Sequence, residues 1–125
     1  MSDLIFTVAG EAESQTRLNA KARQFSIVVD EPPTLGGHDL GANPVEYLLA
    51  SYAGCVNVVA YLVAKELDIK LDKLTIKVDG NLNPERLFGT SFQERAGFKQ
   101  ITLNLTPVTD AKPAVLAKWV NEIKN

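Results

Sequence analysis

Asn43-Pro44-Val45-Glu46-Tyr47-Leu48-Leu49-Ala50-Ser51-Tyr52-Ala53-Gly54-Cys55-Val56-Asn57-Val58-Val59-Ala60-Tyr61-Leu62-Val63-Ala64-Lys65-Glu66 is the stretch that decides the fold. Its start is specified locally. Asn43 is a good N-cap, Pro44 fits the first helical position, and Glu46 falls where its side chain can reach back to the cap amide. The spacing predicts one helix running to Glu66 or Leu67. It is apolar nearly all round, so it is expected to be a buried core helix covered on most sides. Val45 to Ala64 also has about the ~20 residues that cross a bilayer. Glu46, Ser51 and Asn57 within it, and Lys65 and Glu66 at its end, favour a protein core over a membrane span. Ala50, Ala53, Gly54 and Ala64 are small enough for a second backbone to approach, from this chain or from another copy.

Outward from the helix, period-2 alternation predicts strands. Residues 3–9 form an expected first strand, with Gly10 and the polar residues after it as the turn. Residues 16–22 form a second, Arg23-Gln24 a tight turn, and Gln24–Val29 a third. The loop Asp30–Ala42 carries two prolines and three glycines, which argue against any regular element. Leu71–Val78 and Phe98–Leu105 alternate again, with residues 83–97 irregular between them. A last helix has Asp110 as its expected cap and Val115, Leu116, Trp119, Val120 and Ile123 as its apolar stripe. Strands and helices in this order predict the α+β class, with antiparallel sheets around the long helix that carries Cys55.

The 125 residues suit a single domain over 1–125. An apolar fraction of 46% and a charged fraction of 22% are those of a globular protein. A net charge of -2 without a basic block argues against nucleic acid as a partner. One cysteine reads as a reducing compartment, and the N-terminus lacks a signal-peptide pattern, so a cytoplasmic location with no membrane partner is expected. His38 is the single histidine, and no phosphate loop or Gly-x-Ser-x-Gly elbow is present. No metal and no cofactor is expected.

Cys55 is the single cysteine. It is either a small hydrophobe in the core or the reactive atom of the protein. It lies some twelve residues into its helix, too far from the N-terminus for the helix dipole to favour a thiolate. A reactive Cys55 therefore needs an outside cation, best an arginine. The candidates are Arg17, Arg23, Arg86 and Arg95. Arg17 lies on an expected strand, Arg23 at a turn, and Arg95 just before another strand. Glu46 has a structural role in the capping box and a candidate functional one in orienting an arginine. Nine residues from Cys55, it falls about half a turn out of phase on a continuous helix.

The loop Asp30-Glu31-Pro32-Pro33-Thr34-Leu35-Gly36-Gly37, followed by Gly41-Ala42-Asn43-Pro44-Val45-Glu46-Tyr47-Leu48-Leu49-Ala50 and Gly54-Cys55, resembles the OsmC/Ohr family. Arg95-Ala96-Gly97-Phe98 and the Trp119 helix fit the same pattern. The resemblance implies an intertwined homodimer whose sheets are completed between subunits. It implies a thiol peroxidase that reduces organic hydroperoxides through a sulfenic acid on Cys55, with an external thiol or dithiol as reductant. Arg17 is then the expected thiolate partner, with Arg95 in reserve and Glu46 beside it. The family's second cysteine, commonly Cys-Pro in the C-terminal helix, has no counterpart before Asn125, so the chain is expected to lack the family's C-terminal part. The hydroperoxidase branch also carries its glutamate directly after the helix proline, where this chain has Val45. The alternative is an OsmC-like stress or small-ligand-binding protein without peroxidase turnover.

Overall fold

The structure, a computed structural model, describes residues 2–84 and 97–124. The chain forms two compact units, Met1–Leu48 and Leu49–Asn125, whose boundary falls inside one continuous helix.

The first unit holds an antiparallel sheet of β1 (Ala9–Ala12), β2 (Leu18–Ala22) and β3 (Phe25–Val29), in that order. Ala9 pairs with Lys21, and Leu18 with Val29. The β2–β3 turn is at Arg23-Gln24 as expected; Arg23 takes a φ of 56° and its guanidinium sits 5.0 Å over the Phe25 ring. The first strand differs from expectation. Leu4, Ile5 and Phe6 form a short apolar run of the kind strands carry, yet they lie outside the sheet and are exposed. Gly10 is in β1, paired with Ala20, rather than in the turn, and the ladder there is too close for a side chain: a Cβ would lie about 2.7 Å from that of Ala20. The turn is instead Glu13–Arg17, closed by the amides of Glu13 and Ser14 on the Arg17 carbonyl.

The loop after β3 is more regular than its prolines and glycines suggest. Pro33–Leu35 form a short 3₁₀ turn that ends at Gly36, whose φ is 92°. Asp30 organises the rest. Its side chain is 0% exposed and accepts four hydrogen bonds. The Thr16 hydroxyl and the Glu31 amide donate to Oδ1, both at 2.8 Å. The His38 and Leu40 amides donate to Oδ2 at 3.3 and 3.2 Å. Desolvation raises the Asp30 pKa, but the Thr16 hydroxyl and the three amides outweigh it and hold the carboxyl at about 2 against an ordinary 3.8. Gly37 is buried against this knot, where a Cβ would meet the Glu31 backbone. The Asp30 amide donates to the Ala42 carbonyl, which delivers the chain to Asn43.

α1 (Pro44–Glu66) begins in the first unit, where the Tyr47 hydroxyl donates to the Val28 carbonyl at 2.7 Å. In the second unit it continues into β4 (Lys73–Leu82) and β5 (Phe98–Val108), an antiparallel pair, and α2 (Pro113–Lys124). The core joins Ala60, Val63, Ala64, Ile69 and Trp119, with Leu67, Leu74, Leu105, Leu116 and Ile123 packed on it. Trp119 is 1% exposed, and its indole N–H donates to the Ala60 carbonyl at 2.9 Å. α2 starts at Pro113, two residues later than an Asp110 cap would set it. Thr109 bridges this stretch: its hydroxyl donates to the Lys70 carbonyl and accepts from the Ala111 amide. Pro113 then takes the first helical position, as Pro44 does in α1.

The expected burial of α1 on most sides is not what a single chain shows. Val56, Ala60, Val63 and Ala64 are buried, whereas Leu48, Val58 and Leu62 are each nearly 60% exposed, at 58%, 59% and 58%. The β4–β5 hairpin and α2 supply cover for one stripe, and the helix has apolar residues on every face. By length and composition α1 would also cross a membrane.

Trp119→Ala should cost about 3–5 kcal/mol and Trp119→Phe about 1–3, the second from the lost indole bond and ring volume; urea unfolding followed by circular dichroism measures both. The contribution of the Asp30 carboxylate should be fully present above pH 3.8 and disappear as the pH falls through about 2. Asp30→Asn should lower the wild-type denaturation midpoint at pH 7 and flatten its decline below pH 4, since no charge remains to be neutralised.

Candidate functional site

Cys55 is exposed in the single chain and does not fill its core. The cause is angular. The buried stripe of α1 runs through Val56, Ala60 and Val63, and Cys55 is displaced from it by one residue. It joins Tyr52, Val56 and Val59 at i, i+3, i+4 and i+7 spacing, which places the four along one face. That face forms one wall of a half-open cavity of about 350 Å³. Leu103 of β5 and Ile123 and Lys124 of α2 form the other wall. A neighbouring cavity of about 440 Å³ shares Tyr52, Leu103, Ile123 and Lys124 with it. The lining is mostly aliphatic, with a thiol, a phenol and an ammonium as its polar groups.

Glu46 is brought together with Asn43. The Asn43 amide donates to Glu46 Oε1 at 2.9 Å, and the Glu46 amide donates to Asn43 Oδ1 at 2.8 Å. This is the reciprocal capping box expected from the spacing. Arg17 is not on a strand. It is the half-buried last residue of the β1–β2 turn, and its amide donates to the Ser14 hydroxyl at 2.9 Å. The strand begins at Leu18 because Arg17's carbonyl is taken by the turn amides. Arg86 and Arg95, and most of the irregular segment 83–97, lie outside the described residues. His38 is an exposed loop residue that contributes its backbone amide to Asp30.

Sequence reasoning missed Tyr52 and Lys124. Tyr52 was legible in hindsight, three residues before Cys55 on the same helix. Lys124 carries no such signal, because only the docking of α2 brings it to the cavity. Among the described residues no group of acidic, histidine and cysteine side chains is arranged to hold a metal.

The family model for OsmC-like protein matches residues 36–125. No curated protein matches the sequence. Among solved structures, an OsmC-like protein from Mycoplasma pneumoniae is 19% identical with a TM-score of 0.81, over 98% of this chain and 82% of that one. An organic hydroperoxide resistance protein from Elizabethkingia anophelis, with thiocyanate bound, is 17% identical with a TM-score of 0.67, over 98% and 82%. An organic hydroperoxide resistance protein from Legionella pneumophila is 15% identical with a TM-score of 0.67, over 98% and 84%. At these identities the likeness is one of fold.

Glu46→Gln should leave the thermal midpoint within a degree or two, since glutamine also completes a capping box, while Asn43→Ala should cost about 1 kcal/mol. Differential scanning calorimetry of the two variants measures this. A structural Glu46 gives Glu46→Gln wild-type chemistry at Cys55; a functional one gives wild-type stability with lost chemistry.

Proposed function

Because the chain belongs to the OsmC-like protein family, we propose that it is a thiol peroxidase reducing organic hydroperoxides at Cys55. The observation that carries this is the placement of the one cysteine: exposed, and on the wall of an aliphatic cavity. Apolar hydroperoxides fit such a lining, and a buried thiol would be out of their reach. Fold neighbours described as organic hydroperoxide resistance proteins support the same reading.

The proposed chemistry starts with the Cys55 thiolate attacking one oxygen of the O–O bond. That bond breaks, the other oxygen leaves as alkoxide and takes a proton to become the alcohol, and sulfur is left as sulfenic acid. An external thiol attacks the sulfenic sulfur, expels water and forms a mixed disulfide. A second thiol then releases Cys55. An external thiol is proposed for this step because Cys55 is the one cysteine among the 125 residues. Arg17 is the proposed guanidinium partner of the thiolate, with Arg95 in reserve, and Glu46 the proposed acidic residue of the site. The chemistry requires no cofactor.

A homodimer acting as a single domain per chain is part of the proposal. Apolar residues on α1 need cover: Val58, Tyr61 and Leu62 line an open groove of about 720 Å³, and Gly54 has nothing within 4 Å of where a side chain would start. A membrane would also cover such a helix, but membership of the OsmC-like family favours a protein partner. A cytoplasmic location accords with the unpaired thiol. The lack of a second cysteine supports one other reading, an OsmC-like small-ligand-binding protein without turnover.

Consumption of cumene hydroperoxide in the presence of excess dithiol should be lost in Cys55→Ser, and a dimedone adduct should appear on Cys55 of the wild-type chain within seconds of adding peroxide. Equal rates for the two proteins would refute the peroxidase. Rapid binding of the hydroperoxide without adduct or turnover would establish the ligand-binding reading instead.

A further inference from the structure

We infer that Lys124 makes the Cys55 cavity selective for apolar molecules that carry an anionic group, a carboxylate above all. Three observations lead there. Among the described residues that line the cavity, Lys124 is the charged one, beside Tyr52, Cys55 and aliphatic side chains. It also lines the adjoining cavity, together with Tyr52, Leu103 and Ile123. Among the described residues no carboxylate pairs with it, the ion pairs found there being Lys70–Asp72 and Lys77–Asp79.

The position is set by the fold. Lys124 lies on α2, in the turn that follows Trp119. Trp119 fixes α2 against Ala60, and Ile123, one turn further, reaches the cavity wall. A molecule with an apolar body and a carboxylate can satisfy both parts of the lining with its reactive group near sulfur. Two sources share this chemistry: a carboxylate-bearing hydroperoxide, and a carboxylate-bearing thiol that reduces the sulfenic acid. The inference rests on the peroxidase reading for these two roles, but the charge itself is testable without turnover.

The test compares alkylation of Cys55 by iodoacetate, which is anionic, with alkylation by iodoacetamide, which is neutral, in the full chain. Wild type, Lys124→Gln and Lys124→Arg are followed by intact mass at low salt. The iodoacetate-to-iodoacetamide rate ratio should fall about three- to fivefold in Lys124→Gln and be retained in Lys124→Arg. In wild type it should decline as salt is raised. A purely structural role for Lys124 would change both rates together and leave the ratio alone. An unchanged ratio in Lys124→Gln overturns the inference. Steady-state kinetics then separate the sources. Lys124→Gln should raise KM for a carboxylate-bearing hydroperoxide more than for cumene hydroperoxide, or KM for 3-mercaptopropionate more than for 2-mercaptoethanol. Equal effects within both pairs would overturn the assignment. A wild-type chain that shows the charge-dependent ratio but no turnover would sink the peroxidase while leaving the selectivity of the cavity standing.

Discussion

The second unit depends on one hydrogen bond inside an apolar contact: the Trp119 indole donating to the Ala60 carbonyl. Ala60 is 0% exposed and Ala64 2%, and their size lets a large ring lie against the helix backbone. The indole N–H would be costly to bury without a partner, and a helix carbonyl has a spare lone pair to offer. This pins the register of α2 on α1. Moving one turn along α2, from Trp119 to Ile123, moves back along α1 from Ala60 toward Val56 and Cys55. The two helices therefore run counter to one another, and the docking of α2 brings Ile123 and Lys124 to the cavity wall.

The first unit solves a different problem. Its loop carries no hydrophobic core of its own, and a carboxylate replaces one. Asp30 gathers the hydroxyl of Thr16 and three amides spread over the next ten residues. A buried charge is expensive unless its lone pairs are satisfied, and here each oxygen accepts two bonds. The result is a loop whose end point, Asn43, is fixed closely enough to start a capped helix. The chain thus enters α1 through hydrogen bonds and leaves it through apolar packing.

Local signals were legible in the sequence. The Asn43-Pro44-x-Glu46 start of α1, the Arg23-Gln24 turn, the alternation in β4 and β5, and the apolar stripe of α2 each rest on neighbours within a few residues. What escaped was non-local. Leu4-Ile5-Phe6 is as apolar as a strand, but an apolar run does not say whether a ladder partner exists, and Gly10 reads as punctuation although Ala20 stands opposite it. The all-round apolarity of α1 counted surface to be covered without saying what covers it. Arg17 looked extended because its neighbours alternate, yet its carbonyl belongs to a turn. The thiol was singled out early from its solitude and from family resemblance. Its cationic neighbour on α2 was invisible, because juxtaposition across two helices leaves no trace in spacing.

One tryptophan and one cysteine in the whole chain, the first buried at the helix crossing and the second exposed on the adjoining cavity wall, form a ready-made optical pair. A chromophore attached to Cys55 can quench the indole emission by energy transfer. The loosening of α2, or the arrival of a guest between the helices, then becomes visible in the light the protein itself emits.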